Sequence, residues 1–222
     1  MSSEFKIREA RISDLESLLF LEKQAWPEEA RASRDTYLSR LEIFPEGIII
    51  AEGEEGVLGA AVTEIVDLKT ILKSHFSWSE ITDNGSLKKT HNSQGDCIYG
   101  VNLSVKPSSL GEKVGIALMD AIKAMIVMRD LKMGALGGRM PSFAKYIEKN
   151  QLAISDEVAR EYIFARTNSG KFRDPEIGFY DSCDLEIIRP LSDYFPDPDS
   201  SNYGVLIIWR NPKFVLFLKN LL

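Results

Sequence analysis

The run Cys97-Ile98-Tyr99-Gly100-Val101-Asn102-Leu103-Ser104-Val105 reads as a strand, and Lys106-Pro107 ends it. A short loop follows, and a glycine-containing turn then opens a long amphipathic helix. Between Glu112 and Leu131 the apolar positions Val114, Leu118, Ala121, Ile122, Met125 and Met128 share one helical face. A helix entered this way is an anion site. The N–H groups of its first turn point outward and its dipole favours negative charge. Gly111 and Gly115 are small enough to let backbone approach a pyrophosphate closely. Strand-loop-helix units with one or two glycines are common, so the unit alone does not assign a phosphate.

The rest of the chain supplies an order of elements. Phe5 to Ala10 alternates as a half-buried strand does, and Ser13 to Glu16 has the spacing of a capping box ahead of a helix that closes at Trp26-Pro27. A second helix is expected from Ser33 to about Phe44, stopped near Pro45 and Gly47. Ile48 to Ala51 and Val57 to Val66 are strands joined by the Glu52-Gly53-Glu54-Glu55-Gly56 turn. Residues 69–95 read as a long polar loop with one short helix. Met133 to Met140 is a glycine-rich strand, and residues 141–173 form an insert with helical pieces at Phe143 to Asn150 and Asp156 to Ala165. Asp174-Pro175 opens a short helix carrying Phe179 and Tyr180. Leu185 to Pro190 and Tyr203 to Trp209 are the last strands.

This succession, with the Val105-Lys106-Pro107 loop before the long helix, resembles the GNAT acetyltransferase superfamily over nearly the whole chain. Three segments carry the resemblance. Leu110, Gly111, Glu112, Lys113, Val114 and Gly115 occupy the family's acetyl-CoA loop, usually Arg/Gln-x-x-Gly-x-Gly/Ala, and Ile116 continues it. Leu110 stands where the family has Arg or Gln, and Lys113 replaces the first glycine. Backbone amides are untouched by either change. Gly178 to Leu185 resembles the Phe-Tyr-x-x-x-Gly-Phe segment, with Asp184-Leu185 standing for Gly-Phe. Gly100 to Val105 resembles the bulged strand that splays from its neighbour.

The resemblance implies an α/β fold of one domain over residues 1–222, a mixed, mostly antiparallel twisted sheet flanked by helices whose splayed central strands hold CoA. Acetyl-CoA is then the cosubstrate, bound along Leu103, Ser104, Val105 and residues 110–116, and no metal is needed. The Leu103 N–H would hold the thioester oxyanion and Val105 would pair with the pantetheine arm. Tyr180 would protonate the leaving thiolate, chemistry within reach of a phenol of pKa about 10; packing beside Phe179 is the structural alternative. Arg139 ends a strand near the expected acceptor cleft, where it could clamp a carboxylate or phosphate or serve as an ion-pair partner. The acceptor is an amine of a small molecule or peptide, and the insert is expected to wall its pocket. Asp96 and Glu64 are candidate bases through water, unless they are merely solvated strand-end carboxylates.

Composition narrows the rivals. A net charge of −6 argues against a nucleic-acid binder. Cys97 and Cys183 are too far apart for a cluster, and His75 and His91, in a polar stretch, read as surface histidines rather than ligands. No run of about 18 apolar residues occurs and no signal-peptide core opens the chain, so a cytoplasmic protein without membrane contact is expected, with a homodimer as one allowed assembly. The remaining alternatives are a non-catalytic CoA-binding or protein-interaction member of the fold, and a transferase using a longer acyl-CoA. An unrelated nucleotide-binding enzyme would need a P-loop or GxGxxG signature that the chain lacks.

Overall fold

The computed structural model describes residues 4–108 and 110–214. Among these residues seven strands form one sheet: β1 (Phe5–Glu9), β2 (Ile48–Gly53), β3 (Gly56–Val66), β4 (Cys97–Val105), β5 (Met133–Gly138), β6 (Glu186–Leu191) and β7 (Gly204–Arg210). Their order is β1-β2-β3-β4-β5-β7-β6, and every neighbouring pair is antiparallel except β4 with β5. This is the expected mixed, mostly antiparallel sheet flanked by helices. Helices α1 (Leu15–Ala25), α2 (Arg34–Ile43), α3 (Leu68–Ile71) and α4 (Trp78–Thr82) connect the first strands. Helix α5 (Gly111–Met128) makes the crossover that a parallel β4–β5 pair requires. Helices α6 (Phe143–Asn150), α7 (Asp156–Ile163) and α8 (Pro175–Ser182) lie between β5 and β6. None of the described helices is long and apolar enough to cross a membrane.

Helices cover both faces, and β2 shows why its sequence is apolar without a break. Ile48 and Ile50 pack with Leu18, Leu21 and Tyr37 on one face, while Ile49 and Ala51 pack with Val114, Leu118 and Met125 on the other. Pro190 is tolerated because β6 is an edge strand.

Two local expectations change. Helix α1 begins at Leu15, and Asp14 rather than Ser13 organises its start. The Asp14 carboxylate accepts the Arg11 N–H at 2.8 Å and takes two bonds from the Arg8 guanidinium, a charge-assisted anchor that a serine cannot supply. The 69–95 stretch holds α4 besides α3, and α4 has its own reciprocal cap. Glu80 N–H donates to Ser77 Oγ at 3.2 Å, and Ser77 N–H donates to Glu80 Oε2 at 2.8 Å.

Under α2 lies a buried polar cluster. Glu64 on β3 and Arg40 on α2 are 0% and 1% exposed, yet both Glu64 carboxyl oxygens, Arg40 Nη1 and Thr90 Oγ1 lack a hydrogen-bond partner among the described residues. Burial pushes the Glu64 carboxyl up from 4.5 to about 8, against the opposing pull of the nearby Thr90 hydroxyl and Arg40. Between these two values the unfolded chain releases a proton that the folded chain keeps. Stability therefore falls as pH rises through that window. Glu64→Gln, which never ionises, is expected to raise Tm by a few degrees at pH 8 and to have little effect at pH 4.5. Thermal denaturation at the two pH values measures the difference; an equal shift at both would show that Glu64 does not titrate with unfolding.

Candidate active site

Parallel pairing between β4 and β5 covers Cys97–Gly100 against Met133–Leu136. Beyond it β4 runs on to Val105 paired with β3, and β5 runs on to Gly138 paired with β7. A wedge opens between them, and a cleft of about 530 Å³ continues from it. The β4 register shifts at this point: Thr63 faces Gly100 while Val62 faces Asn102, which makes Val101 the extra residue of a bulge. Trp78 Nε1 donates to the Val101 carbonyl at 2.9 Å. Further along, Lys106 N–H donates to the Leu58 carbonyl at 2.8 Å. Alternation along an antiparallel ladder then gives Asn102 and Ser104 the bonds to β3 and turns the N–H groups of Leu103 and Val105 toward the wedge.

The same alternation sorts the expected cofactor residues. Leu103 and Val105 line the cleft, whereas the Ser104 hydroxyl is buried behind them, accepting from Trp26 Nε1 at 2.7 Å and donating to Asn102 Oδ1 at 2.9 Å. On α5, Gly111, Glu112 and Gly115 form the lining face. Lys113 turns outward to Glu4 at 3.2 Å, Val114 is buried against the sheet, and Leu110 and Ile116 pack into the apolar layer beneath. Gly111 N–H is taken by the Ser108 carbonyl at 3.1 Å, and Val114 N–H donates to the Leu110 carbonyl at 2.9 Å. The N–H groups of Glu112 and Lys113 precede that bond, at the positive end of the helix.

Helix α8 forms the opposite wall through Pro175, Glu176, Phe179 and Tyr180. Its cap, the buried Asp174, accepts from the N–H groups of Glu176 and Ile177 at 3.0 and 3.4 Å, and also from the Tyr162 hydroxyl and the Ser142 N–H at 2.9 and 3.2 Å. Tyr180 lines the cleft with no hydrogen bond from its hydroxyl among the described residues. Burial, with Glu176 beside it, keeps the phenol protonated well above its ordinary range. Arg139 also lines the cleft, but its guanidinium fork is held by Asp197, Nε to Oδ2 at 2.8 Å and Nη2 to Oδ1 at 3.1 Å, while Nη1 lies 3.5 Å from Glu176.

Other candidates fall elsewhere. Asp96 is bound to Lys132 at 2.6 Å and to the Leu68 N–H at 2.7 Å, and neither it nor Glu64 lines the cleft. His75 is exposed, as expected, but His91 is partly buried, accepting the Ile65 N–H at its Nδ1 and stacking 4.7 Å from Phe44. The insert does not wall the cleft, because none of the cleft-lining residues comes from 141–173. It packs its aromatics, Phe143 and Tyr162, into the core and holds the α8 cap. The wall expected of it is built instead by Trp26, Ala30, Trp78 and Phe195, with Trp78 and Phe195 in a T-shaped contact at 5.4 Å. Trp26 and Trp78 sit in segments that read as a helix end and a loop, so nothing in their periodicity pointed to a site.

No family model matches the sequence. The uncharacterized N-acetyltransferase YkwB of Bacillus subtilis (strain 168) is 31% identical over 209 residues, which covers 92% of this chain and 88% of that protein. Among solved structures, the loading GNATL domain of CurA from Lyngbya majuscula aligns with a TM-score of 0.80 at 19% identity, over 95% of this chain and 100% of that one. The GNAT-like decarboxylase GphF, solved with isobutyryl-CoA, aligns with a TM-score of 0.77 at 26% identity, over 93% and 99% of the two chains. The chain belongs to the GNAT superfamily of N-acetyltransferases.

Gly115 has a packing reason to be glycine. A Cβ there would stand 2.9 Å from Phe179 Cζ, so α8 approaches α5 over this residue. Gly115→Leu is expected to cost about 1–3 kcal/mol through overpacking, whereas Glu112→Ala, at an exposed position, stays within about 0.5 kcal/mol. Chemical denaturation of the two variants checks the contrast.

Proposed function

We propose that the chain transfers an acetyl group from acetyl-CoA to an amine of a small molecule or peptide by direct attack. The observation that carries this reading is the wedge between β4 and β5, which leads from the N-terminus of α5 to the unpartnered hydroxyl of Tyr180. In this reading the pyrophosphate sits over residues 110–116, where the N–H groups of Glu112 and Lys113 and the helix dipole meet negative charge. Side chains at Leu110 and Lys113 matter little to that contact, because neither lines the cleft. The backbone of Val105 guides the pantetheine arm, and the Leu103 N–H stabilises the thioester oxyanion. Tyr180 gives its proton to the departing thiolate. Burial holds the proton on the Tyr180 hydroxyl in the resting cleft, so it is present when sulfur leaves. Arg139, already neutralised by Asp197, shapes the acceptor end rather than clamping a free carboxylate.

A second reading has its own support. GphF is a decarboxylase solved with isobutyryl-CoA, and it is 26% identical to this chain over nearly its full length. A larger acyl group, or loss of CO2 from a β-carboxyacyl thioester with the enolate held by the same Leu103 N–H, would use the same wedge. Comparing acetyl-, isobutyryl- and malonyl-CoA for binding, acyl transfer and CO2 release separates the readings. Acetyl transfer to an amine without CO2 release supports the first.

Acetyl-CoA at a hundred times its Kd is expected to stabilise the protein by about 2.7 kcal/mol, a Tm shift on the order of 5–10 °C. Absence of both a shift and calorimetric binding at millimolar CoA removes the cofactor from the reading. Gly115→Leu should weaken that binding more than Glu112→Ala. Tyr180→Phe deletes a hydroxyl that makes no hydrogen bond within the described fold, so it should leave Tm and CoA affinity in place while lowering turnover roughly 10²–10⁴-fold. Steady-state kinetics beside a melting curve give the answer, and unchanged turnover would reduce Tyr180 to a packing residue.

A further inference from the structure

The acyl end of the cleft contains a carboxyl group to which the acetyl-transfer reading assigns no role. Glu176 and Tyr180 are one helical turn apart on α8, so both project from the same face, and both line the cleft. The cap beneath them is fixed by Tyr162 and Ser142 through Asp174. The Glu176 side chain keeps 36% of its surface open, and its ionic contact is Arg139 Nη1 at 3.5 Å. Arg139 spends its two closer bonds on Asp197, so it cannot cancel Glu176 as well. Of the carboxylates that line the cleft, Glu112 stands on the first turn of α5, at the pyrophosphate end, and Glu176 stands beside Tyr180. The charged groups facing Glu176 are Arg139, Asp174 and Asp197. Three carboxyl groups against one guanidinium make this end of the cleft acidic.

We propose that Glu176 is the catalytic base of this cleft and the residue that selects a protonated primary amine as acceptor. The proposal rests on the acetyl-transfer reading. The ammonium docks against the Glu176 carboxylate, inside the rim of Trp26, Trp78 and Phe195. One N–H proton passes to a Glu176 oxygen, leaving a neutral amine. Its lone pair attacks the thioester carbonyl; the C–N bond forms, the C–S bond breaks, and the thiolate takes the Tyr180 proton. The second nitrogen proton is lost and Tyr180 is reprotonated, so ammonium and acetyl-CoA give amide, CoA thiol and one proton to solvent. Burial, reinforced by Asp174 and Asp197 and opposed by Arg139, lifts the Glu176 carboxyl to about 7, near the optimum for a base at neutral pH.

The test uses the full chain, saturated with CoA, and three probes of one shape: tyramine as the cation, tyrosol as the neutral alcohol and 4-hydroxyphenylacetate as the anion. Calorimetry should show tyramine bound at least roughly ten-fold more tightly than the other two, about 1.4 kcal/mol. Glu176→Gln should abolish that preference without changing CoA affinity. With acetyl-CoA as donor, acetylation of tyramine should rise with pH through about 7, fall roughly 10²-fold or more in Glu176→Gln, lose its pH dependence there, and recover in part in Glu176→Asp. Equal affinity for the three probes, or a cation preference or pH limb that survives in Glu176→Gln, overturns the proposal. Failure of the wild-type chain to bind acetyl-CoA overturns the reading beneath it instead, and the CoA titration that precedes the probes distinguishes the two.

Discussion

The site depends on where β4 and β5 stop pairing. A strand edge left open inside a protein is costly, since each buried N–H without a partner forfeits about 1–3 kcal/mol. Here the separation is held from both sides. The Val101 bulge is fixed by the Trp78 indole at its carbonyl, and Asn102 just beyond it donates to the buried Glu22 carboxylate at 2.7 Å, which also accepts from Tyr37 at 2.8 Å. Beside β5, Tyr194, itself a cleft-lining residue, occupies the space that a side chain at Gly137 would need, with a Cβ there only 2.1 Å from its ring, and Tyr194 is tied to Tyr99 through hydroxyls 2.7 Å apart. The open amides of Leu103 and Val105 are the product of this framework, and they face a cleft rather than a dry core.

The insert acts on the site at one remove. Tyr162 on α7 and the Ser142 N–H converge on Asp174, whose other oxygen caps α8. The helix carrying Glu176, Phe179 and Tyr180 is therefore set by a buried carboxylate with four donors rather than by apolar packing alone. Its opposite neighbour, the loop before β7, is tied in through Asp197 and Arg139. Both attachments are charge-assisted or buried hydrogen bonds, which are directional, and direction is what places a phenol and a carboxyl on the same cleft wall.

Much of the fold was legible because its signals are local. The apolar runs of β2 and β3, the one-sided helix α5 and the Asp174-Pro175 start of α8 each depend on neighbours in sequence, and all of them fold as read. The resemblance to the superfamily singled out Leu103, Val105, Gly111 and Gly115, and the fold brings all four to the cleft. The site was not legible where the partner is distant. Trp26 and Trp78 become a cleft wall only when a helix end and a connecting segment meet across the sheet. Arg139 reads as a free clamp until the loop at Asp197 closes on it. Glu64 reads as a solvated strand residue until α2 buries it. Glu176 carries no motif at all: a glutamate in a helix's first turn is ordinary, and only the cleft and its acidic neighbours set it apart.

The two ends of the cleft differ in sign, and that difference bears on which complex can form. At one end the N-terminal turn of α5 presents N–H groups and the positive pole of an eighteen-residue helix. At the other, Glu176, Asp174 and Asp197 surround one arginine. A donor with an anionic head and an uncharged reactive tip satisfies the first end without loading the second. Once it is seated, its bulk removes water from the wedge and strengthens the field that the carboxyl groups project toward the rim of tryptophans. An anionic acceptor would meet that field unfavourably, while a cationic one is drawn to the carboxyl placed beside Tyr180. In the proposed reaction donor and acceptor would be sorted by charge along a single cleft, an ordering that follows from two helix N-termini: α5 presents the N–H groups of Glu112 and Lys113, whereas the buried carboxylate of Asp174 closes the first turn of α8.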